Sequence, residues 1–401
     1  MQTIKTKWFA SAMAGAPAMN GNIGGGLIGV LTACLKDGFN LLTLDSLTVA
    51  GNVATGTKAG HGFVVNQVVL ISGATPAGLN GEWRVTSVTA NTVQFATTGI
   101  SDQTASGTIT IKTAPCGWLV PFTGTNQAVF KSGDVTSTQL PIRVDDSTAQ
   151  YSTIRAAENF TDISTEVNGY STQYMKRSNA TDANARPWII ISDTKSVYLG
   201  IQWTNSGVYD FYHFGDFYSL VAGDAYNFRL QALITNAPAT LGEQSSVSDA
   251  YCEANSYSMA ARPFTQISGG VQVWQGSAAN FAIGNLNSGF QWSLSGNRGN
   301  AANQNVPAFA SPSATDNGFH FTPVFLSEIS AGSLRNIRGT ARGLLHCIEY
   351  LPQTNGYSIL SGVENTPGGL VIIARTAGHI RTAQSTYASA SATIAFSLGD
   401  W

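Results

Sequence analysis

The chain has 401 residues, enough for two or three domains with real cores, and a formal charge of −2. Only 11% of residues are charged, where roughly 25% is usual, and no Lys/Arg tract stands out; a phosphate-tracking nucleic-acid surface has no visible source of cations. No run of about 18 apolar residues exists to span a bilayer, and Met1 to Ala18, broken by Gly15 and Pro17, does not read as a signal peptide.

The opening segment reads as irregular chain as far as Gly24-Gly25-Gly26. Leu27, Val30, Leu31, Cys34 and Leu35 then recur at helical spacing, with Gly38 where a C-terminal glycine belongs, predicting one helix of about three turns. A Gly-rich turn before a helix can cradle a phosphate, but no strand precedes it and no Gly-Lys-Ser/Thr follows. From Leu44 to Lys112 short Val/Ile/Thr runs alternate with glycine or asparagine turns, predicting a compact β module. Val64, Val65, Val68, Val69, Leu70, Ile71, Trp83, Val85 and Val88 are its expected core, and Asn80-Gly81 reads as a tight hairpin turn. Inside it lies Gly60-His61-Gly62: the expectation is a ring bonded to nearby backbone, two glycines supplying freedom and Phe63 anchoring the core.

Beyond the module, Pro141–Ser147, Pro187–Asp193, Val197–Trp203, Ala225–Ile234, Phe319–Leu326, Gly343–Leu351 and Gly369–Thr376 read as strands, with a hairpin at Asp193-Thr194-Lys195-Ser196. Residues 244–315 are rich in Ser, Asn, Gly and Ala and read as long loops or a segment wrapped on a partner. The expected fold class is mainly β: a small β-barrel or sandwich module inserted after a short N-terminal helix, then a larger β-sandwich-like domain with long loops. The corresponding divisions are 1–42, 43–113 and 114–401.

The four cysteines, Cys34, Cys116, Cys252 and Cys347, lie far apart without a CxxC pair and read as reduced, buried thiols. No Gly-x-Ser-x-Gly elbow is present. The five histidines, His61, His213, His320, His346 and His379, form no HExxH or HxH pair; His320 and His346 read as strand histidines with one satisfied nitrogen. Neither cofactor nor metal is expected. Asp145 and Asp146 are adjacent, which on a strand sends them to opposite faces. Asp210, Asp216 and Asp224 lie in the most aromatic stretch, Val208 to Tyr226. Aromatics beside carboxylates grip sugar rings, yet the same pattern describes a strand burying Tyr and Phe in a core, which is the commoner case. Tyr209, Phe211, Tyr212, Phe214 and Phe217 are the candidate interaction surface. Arg335, Arg338, Arg342 and Arg375 are expected to pair with acids across subunit boundaries rather than to bind an anion.

The stretch "AGHGFVVNQVVLISGATPAGLNGEWRVTSVTANTVQFATTGISDQTASGTITIK" resembles a small β module common in structural proteins of tailed bacteriophages, matching it at His61, Gly62, Phe63, Gly73, Ala74, Leu79, Asn80, Gly81, Val85, Phe95 and Gly107. The opening "WFASAMAGAPAMNGNIGGGLIGVLTACLKDGFN" and the later "PFTGTNQAVFKS", "IRVDD", "ARPWIIISD" and "IRGTARGLL" are similar to a family of uncharacterised phage virion proteins; residues 244–315 depart most. The resemblance implies a tail- or baseplate-associated structural subunit without enzymatic activity, made in the host cytoplasm and located in the virion. Its partners would be copies of itself and neighbouring tail proteins. The alternative is a tail-tip module for a host glycan or protein receptor; a polysaccharide-degrading enzyme, needing Asp216 or Asp224, is the third reading.

Overall fold

A computed structural model describes residues 3–170, 172–204, 206–232, 258–260, 315–330, 333–347, 355–363, 366–381 and 387–401. The chain is mainly β, with four antiparallel sheets among the described residues. Of the expected loop region only the short strand Ser258–Ala260 and the last residue, Thr315, lie within the described residues.

The first sheet takes the strands from Phe39–Thr43 to Thr110–Thr113 in the order 39–43, 110–113, 68–72, 81–88, 92–96, 53–57, 46–50, 103–104. Its first strand continues through Leu44 and Asp45 into Ser46–Ala50, where Leu44 N–H donates to Ile109 O and Asp45 N–H to Thr57 O, each at 2.9 Å. One bent run thus borders both ends of the sheet, and the sheet closes as a small barrel. Alternating burial along Val53–Thr57 and Thr92–Ala96 sends one face inward. The interior is filled by Leu47, Val69, Ile71, Leu79, Trp83, Val85, Val93, Phe95 and Ile111, with Trp83 stacked on Phe95 at 5.1 Å. Val64 and Val65, expected in this core, are exposed instead; they precede the strand Val68–Ser72, in a turn that puts both outside the pleat.

The Asn80-Gly81 turn also differs from expectation. Asn80 has φ −77 and the connection is long, running from Ile71 to its pair Gly81 through a short 3-10 turn at Ala77–Leu79. The Asn80 side chain acts as a strand backbone would, its Oδ1 accepting from Ala74 N–H at 2.8 Å and its Nδ2 donating to Ala74 O at 2.7 Å. A side chain that closes the loop in this way removes the need for two positive-φ residues.

The other three sheets share one core with the helix. The first of them runs 7–10, 188–192, 196–201, 210–216, 228–231, 258–260. Its strands Trp188–Ser192, Ser196–Ile201 and Asp210–Asp216 are buried at every position, as strands covered on both faces must be. Lys7–Ala10, expected as irregular chain, is its edge strand, paired Phe9↔Ile190. All four of its residues are buried, so no alternation marks it in the sequence. The second sheet contains Leu119–Gly124, Gln127–Lys131, Ile142–Asp145 and the long Tyr151–Phe160, which pairs with both Glu166–Gly169 and Gln173–Lys176. The third is built on Ser333–Cys347, Leu370–Arg381 and Tyr387–Ser397. No helix among the described residues is long and apolar enough to cross a membrane.

The helix runs Gly26–Thr32, widens into a π-turn over Ala33–Asp37 and ends at Gly38, φ 75. The N-terminus that could have cradled a phosphate is already occupied. Asp146 Oδ2 accepts from Leu27 N–H at 2.8 Å and its backbone O from Gly25 N–H at 2.9 Å. The same carboxylate is paired with the buried Arg177 at 2.8 Å and accepts from Ser152 Oγ. A fixed internal anion does what an exogenous one would do there.

The barrel is inserted through a narrow stem. Phe39 pairs with Thr113, and Cys116 and Trp118 N–H donate to Cys34 and Leu35 O. At the seam with the body, the Arg84 guanidinium donates to the carbonyls of Thr6, Asn66 and Leu398, and Lys7 pairs with Glu82 at 3.0 Å. Burial lowers the Arg84 pKa, which the charge of Asp400 partly offsets.

Candidate functional site

The aromatic stretch resolves into core and pocket. Tyr209, Phe211, Tyr212, Phe214 and Phe217, the expected interaction surface, are all buried, none more than 3% exposed. Phe211 packs on Phe396 at 5.2 Å and Phe214 edge-on to Trp118 at 5.6 Å, while the Tyr212 hydroxyl accepts from Lys176 N–H. They lie on or beside a central strand of a sheet covered on both faces, so these side chains hold the body together and present no surface.

What the stretch does expose lies just past that strand. Where Asp210–Asp216 ends, the chain turns through residues 217–227 and borders an open pocket of about 450 Å³. Asp216, Asp224, Lys195, Asn227 and Arg342 supply its polar wall. Tyr218, on the short strand Tyr218–Ser219 paired to Thr340 and Gly339, stands at it 41% exposed.

The two carboxylates of this pocket are held in opposite states. Burial raises the Asp216 pKa to about 6, against the pull of the Thr138 N–H and hydroxyl, which donate to its two oxygens at 2.9 and 2.6 Å, and of the cations Arg342 and Lys195. Burial would also raise Asp224, but Arg338 outweighs it: Nε and Nη2 each reach a different oxygen at 2.7 Å, Ser219 Oγ and Tyr226 N–H add to them, and the carboxyl stays below its ordinary range. Such separation is the electrostatic signature of an acid/base pair. Here, however, Asp224 has a donor on every side, and Asp216 ties the 134–139 loop to the end of a core strand. Lys195 is likewise engaged by Thr136 Oγ1 and Asp134.

Arg338 and Arg342 pair with acids of their own chain, not across a subunit boundary as expected. Arg338 holds Asp224. Arg342 donates to Asp193 and, at 3.1 Å, to Trp401 O, and its guanidinium lies 4.3 Å from the Tyr218 ring centroid. Arg375 donates to Asn355 Oδ1. The Arg335 side chain lies outside the described residues. Asp193 does two jobs. Its Oδ1 accepts from Lys195 and Ser196 N–H and shapes the expected hairpin, while Oδ2 receives Arg342. The turn was readable from Asp-Thr-Lys-Ser; the ion pair, 149 residues away, leaves no local trace.

Asp145 and Asp146 do diverge. Asp145 accepts from Gln127 and Ser147, while Asp146 enters the core, where burial raises its pKa against the charge of Arg177. Asp210 accepts from Trp203 Nε1 at 2.6 Å.

His213 is buried with Nε2 at 2.8 Å from Ser196 Oγ, and burial lowers its pKa well below the ordinary value, with Arg229 adding to the effect. His320 precedes its strand instead of lying in it and bonds Asp316 at 2.8 Å in partial exposure. The side chains of His346, His379 and Cys347, and all of Cys252, lie outside the described residues. Cys34 and Cys116 are buried free thiols whose pKa burial raises. Among the described residues no three His, Cys, Asp or Glu side chains gather as a metal site requires.

His61 is set by geometry. Its Nδ1 accepts from Phe63 N–H at 3.0 Å, so Nε2 carries the proton and faces the carbonyls of Thr89 and Thr92, both at 3.0 Å. The ring stacks on Phe63 at 5.6 Å. Gly60 and Gly62 have φ 64 and 68, and a Cβ on Gly62 would collide with Ala14. Neither a known protein-family model nor any curated protein matches this chain.

Proposed function

We propose that this chain is a structural subunit of a tailed-bacteriophage virion, of its tail or baseplate, acting by packing on copies of itself and on neighbouring virion proteins, without catalysis. The observation that carries the reading is what the residues of the phage-like motif do. His61 bridges two carbonyls, Phe63, Leu79, Val85 and Phe95 fill the barrel, and Ala74 and Asn80 clasp each other. Gly73 and Gly107 have positive φ and pass so closely that a Cβ on Gly107 would meet the Gly73 carbonyl. Gly62 and Gly81 also hold positive φ. Every matched position builds architecture, which is what a module reused among structural proteins would keep.

The body supports the same reading. Three of its buried ion pairs close inside the chain, Asp146–Arg177, Asp193–Arg342 and Asp224–Arg338, and in a chain only 11% charged the exterior desolvates at low cost. Val135 and Leu220 of the body, and Leu41 of the barrel, are each more than 60% exposed, apolar points open to a neighbouring subunit.

Deleting the gene from its phage or prophage tests the proposal. Particles or tails should fail to assemble, and peptide mass spectrometry of intact particles should find the protein in stoichiometric amount. Normal, fully infectious particles lacking it would sink the reading.

A further inference from the structure

We propose that the pocket beside Tyr218 is a saccharide site that takes one neutral hexopyranose unit, laid against the Tyr218 ring with its hydroxyls toward Asp216 and Asn227. This inference does not rest on the assembly role, since any subunit could carry such a site.

The ring comes first. Tyr218 is the exposed aromatic at this pocket, while Phe217 beside it in the same lining is buried. Its backbone is fixed by pairing to the 333–347 strand, and the Arg342 guanidinium, itself held by Asp193 and Trp401 O, lies 4.3 Å from its centroid. A ring held in place by a buried cation yet left 41% exposed is a preorganised stacking platform. Apolar C–H faces of pyranose rings suit such platforms.

The polar wall matches what surrounds a pyranose. Asp216 gives one bond-accepting contact per oxygen to Thr138, and a carboxylate oxygen has capacity for a second. Asn227 and Ser219 add neutral polar groups to the same wall. The volume, about 450 Å³, falls within the roughly 300–1,000 Å³ usual for small-molecule sites.

Charge selects the class. Lys195 is matched by Asp134, Arg342 by Asp193 and Arg338 by Asp224, so Asp216 is the charge left over. An anionic sugar, phosphate or nucleotide would meet a carboxylate with the nearby cations already committed; an uncharged polyol would meet an acceptor. The mouth is open: Gly223 has no atom within 4 Å of where a Cβ would stand, and Ala225 beside it is exposed.

Purified full-length protein is to be applied to an array of glucose-, galactose- and N-acetylhexosamine-terminated oligosaccharides, with sialylated and uronic-acid oligosaccharides on the same array. Hits are then titrated by calorimetry. Binding to a neutral oligosaccharide is expected, weakened about tenfold by Tyr218→Ala, from the energy of one stacking contact, and abolished by Ala225→Trp, which fills the pocket from an exposed loop. An unchanged melting temperature certifies that the Ala225→Trp variant is folded. The proposal is overturned if the wild type binds no neutral oligosaccharide, if it binds acidic ones in preference, or if folded Ala225→Trp binds as well as the wild type.

Discussion

Inside the barrel, away from its seam with the body, the buried polar side chains that bond carry no formal charge: Asn80 bonds Ala74, Trp83 Nε1 bonds Leu79 O, His61 bonds Thr89 and Thr92, and Gln67 bonds Thr113. In the body the equivalent contacts are buried ion pairs between distant segments, Arg177 with Asp146, Arg338 with Asp224 and Arg342 with Asp193, the last two separated by 114 and 149 residues. The difference teaches where each part is vulnerable. A neutral hydrogen bond that is lost costs the desolvation of its abandoned partner, about 1–3 kcal/mol. An ion pair that loses one member strands a charge in the core, and the cost rises to about 3–5 kcal/mol.

The largest expected effect therefore belongs to Asp146→Ala. It strands Arg177, and it also removes the acceptor for the helix N–H groups. Denaturant unfolding should show the body destabilised by about 3–5 kcal/mol. Hydrogen exchange should accelerate in residues 26–37 and 142–177 while barrel amides keep their protection. Equal loss of protection in the barrel would break the contrast, because it would mean that barrel and body unfold as one unit.

Next in size is a pH response confined to the body. Asp216 titrates at about 6 in the folded chain, while an unfolded aspartate titrates near ~4. Between those values the folded state binds more protons, so stability rises as pH falls from 7 to about 4, by up to about 3 kcal/mol. Burial of Asp146 pushes in the same direction. Further acidification reverses the trend, since Asp134, Asp145 and Asp224 are held below the ordinary range and lose their stabilising bonds when protonated. Urea midpoints measured from pH 7.5 to 3 should trace this maximum, and Asp216→Asn should flatten the rise between 7 and 4. A midpoint that falls steadily across that window would show that ionised Asp216 is not penalised.

The same contrast explains what could be read from the sequence. The helix, the Asp193 hairpin and the module with its glycine and asparagine turns were legible because each is written in neighbouring residues: apolar spacing, positive-φ residue types, an Asx turn. Lys7–Ala10 was not, since an edge strand buried at all four positions has neither length nor alternation to mark it. Asn80-Gly81 misled because the asparagine serves through its side chain rather than through a positive φ. The aromatic stretch was legible as apolar, but not which residue would be left out: Tyr218 differs from Phe217 only by the place where the strand ends. The ion pairs were out of reach, because nothing near Arg338 or Arg342 names Asp224 or Asp193.

The smallest effect is the one that asks whether barrel architecture is held by the ring of His61 or by the glycines around it. His61→Ala removes an acceptor from Phe63 N–H, a donor from the Thr89 and Thr92 carbonyls and the stack on Phe63. Thr89 N–H also donates to Thr92 O, and the two hydroxyls bond each other, so the Thr92 carbonyl keeps a partner, and a loss of about 1–3 kcal/mol is expected. It should register as a lower melting temperature and as faster exchange between Lys58 and Val93, with the body's amides unchanged. Gly62→Ala tests the other half: at φ 68 and against Ala14 it strains the loop and presses on the body at once, so its effect should reach residues 12–16, where that of His61→Ala does not. An unchanged melting temperature in His61→Ala, beside a lowered one in Gly62→Ala, would assign the turn to its backbone and reduce the ring to filler.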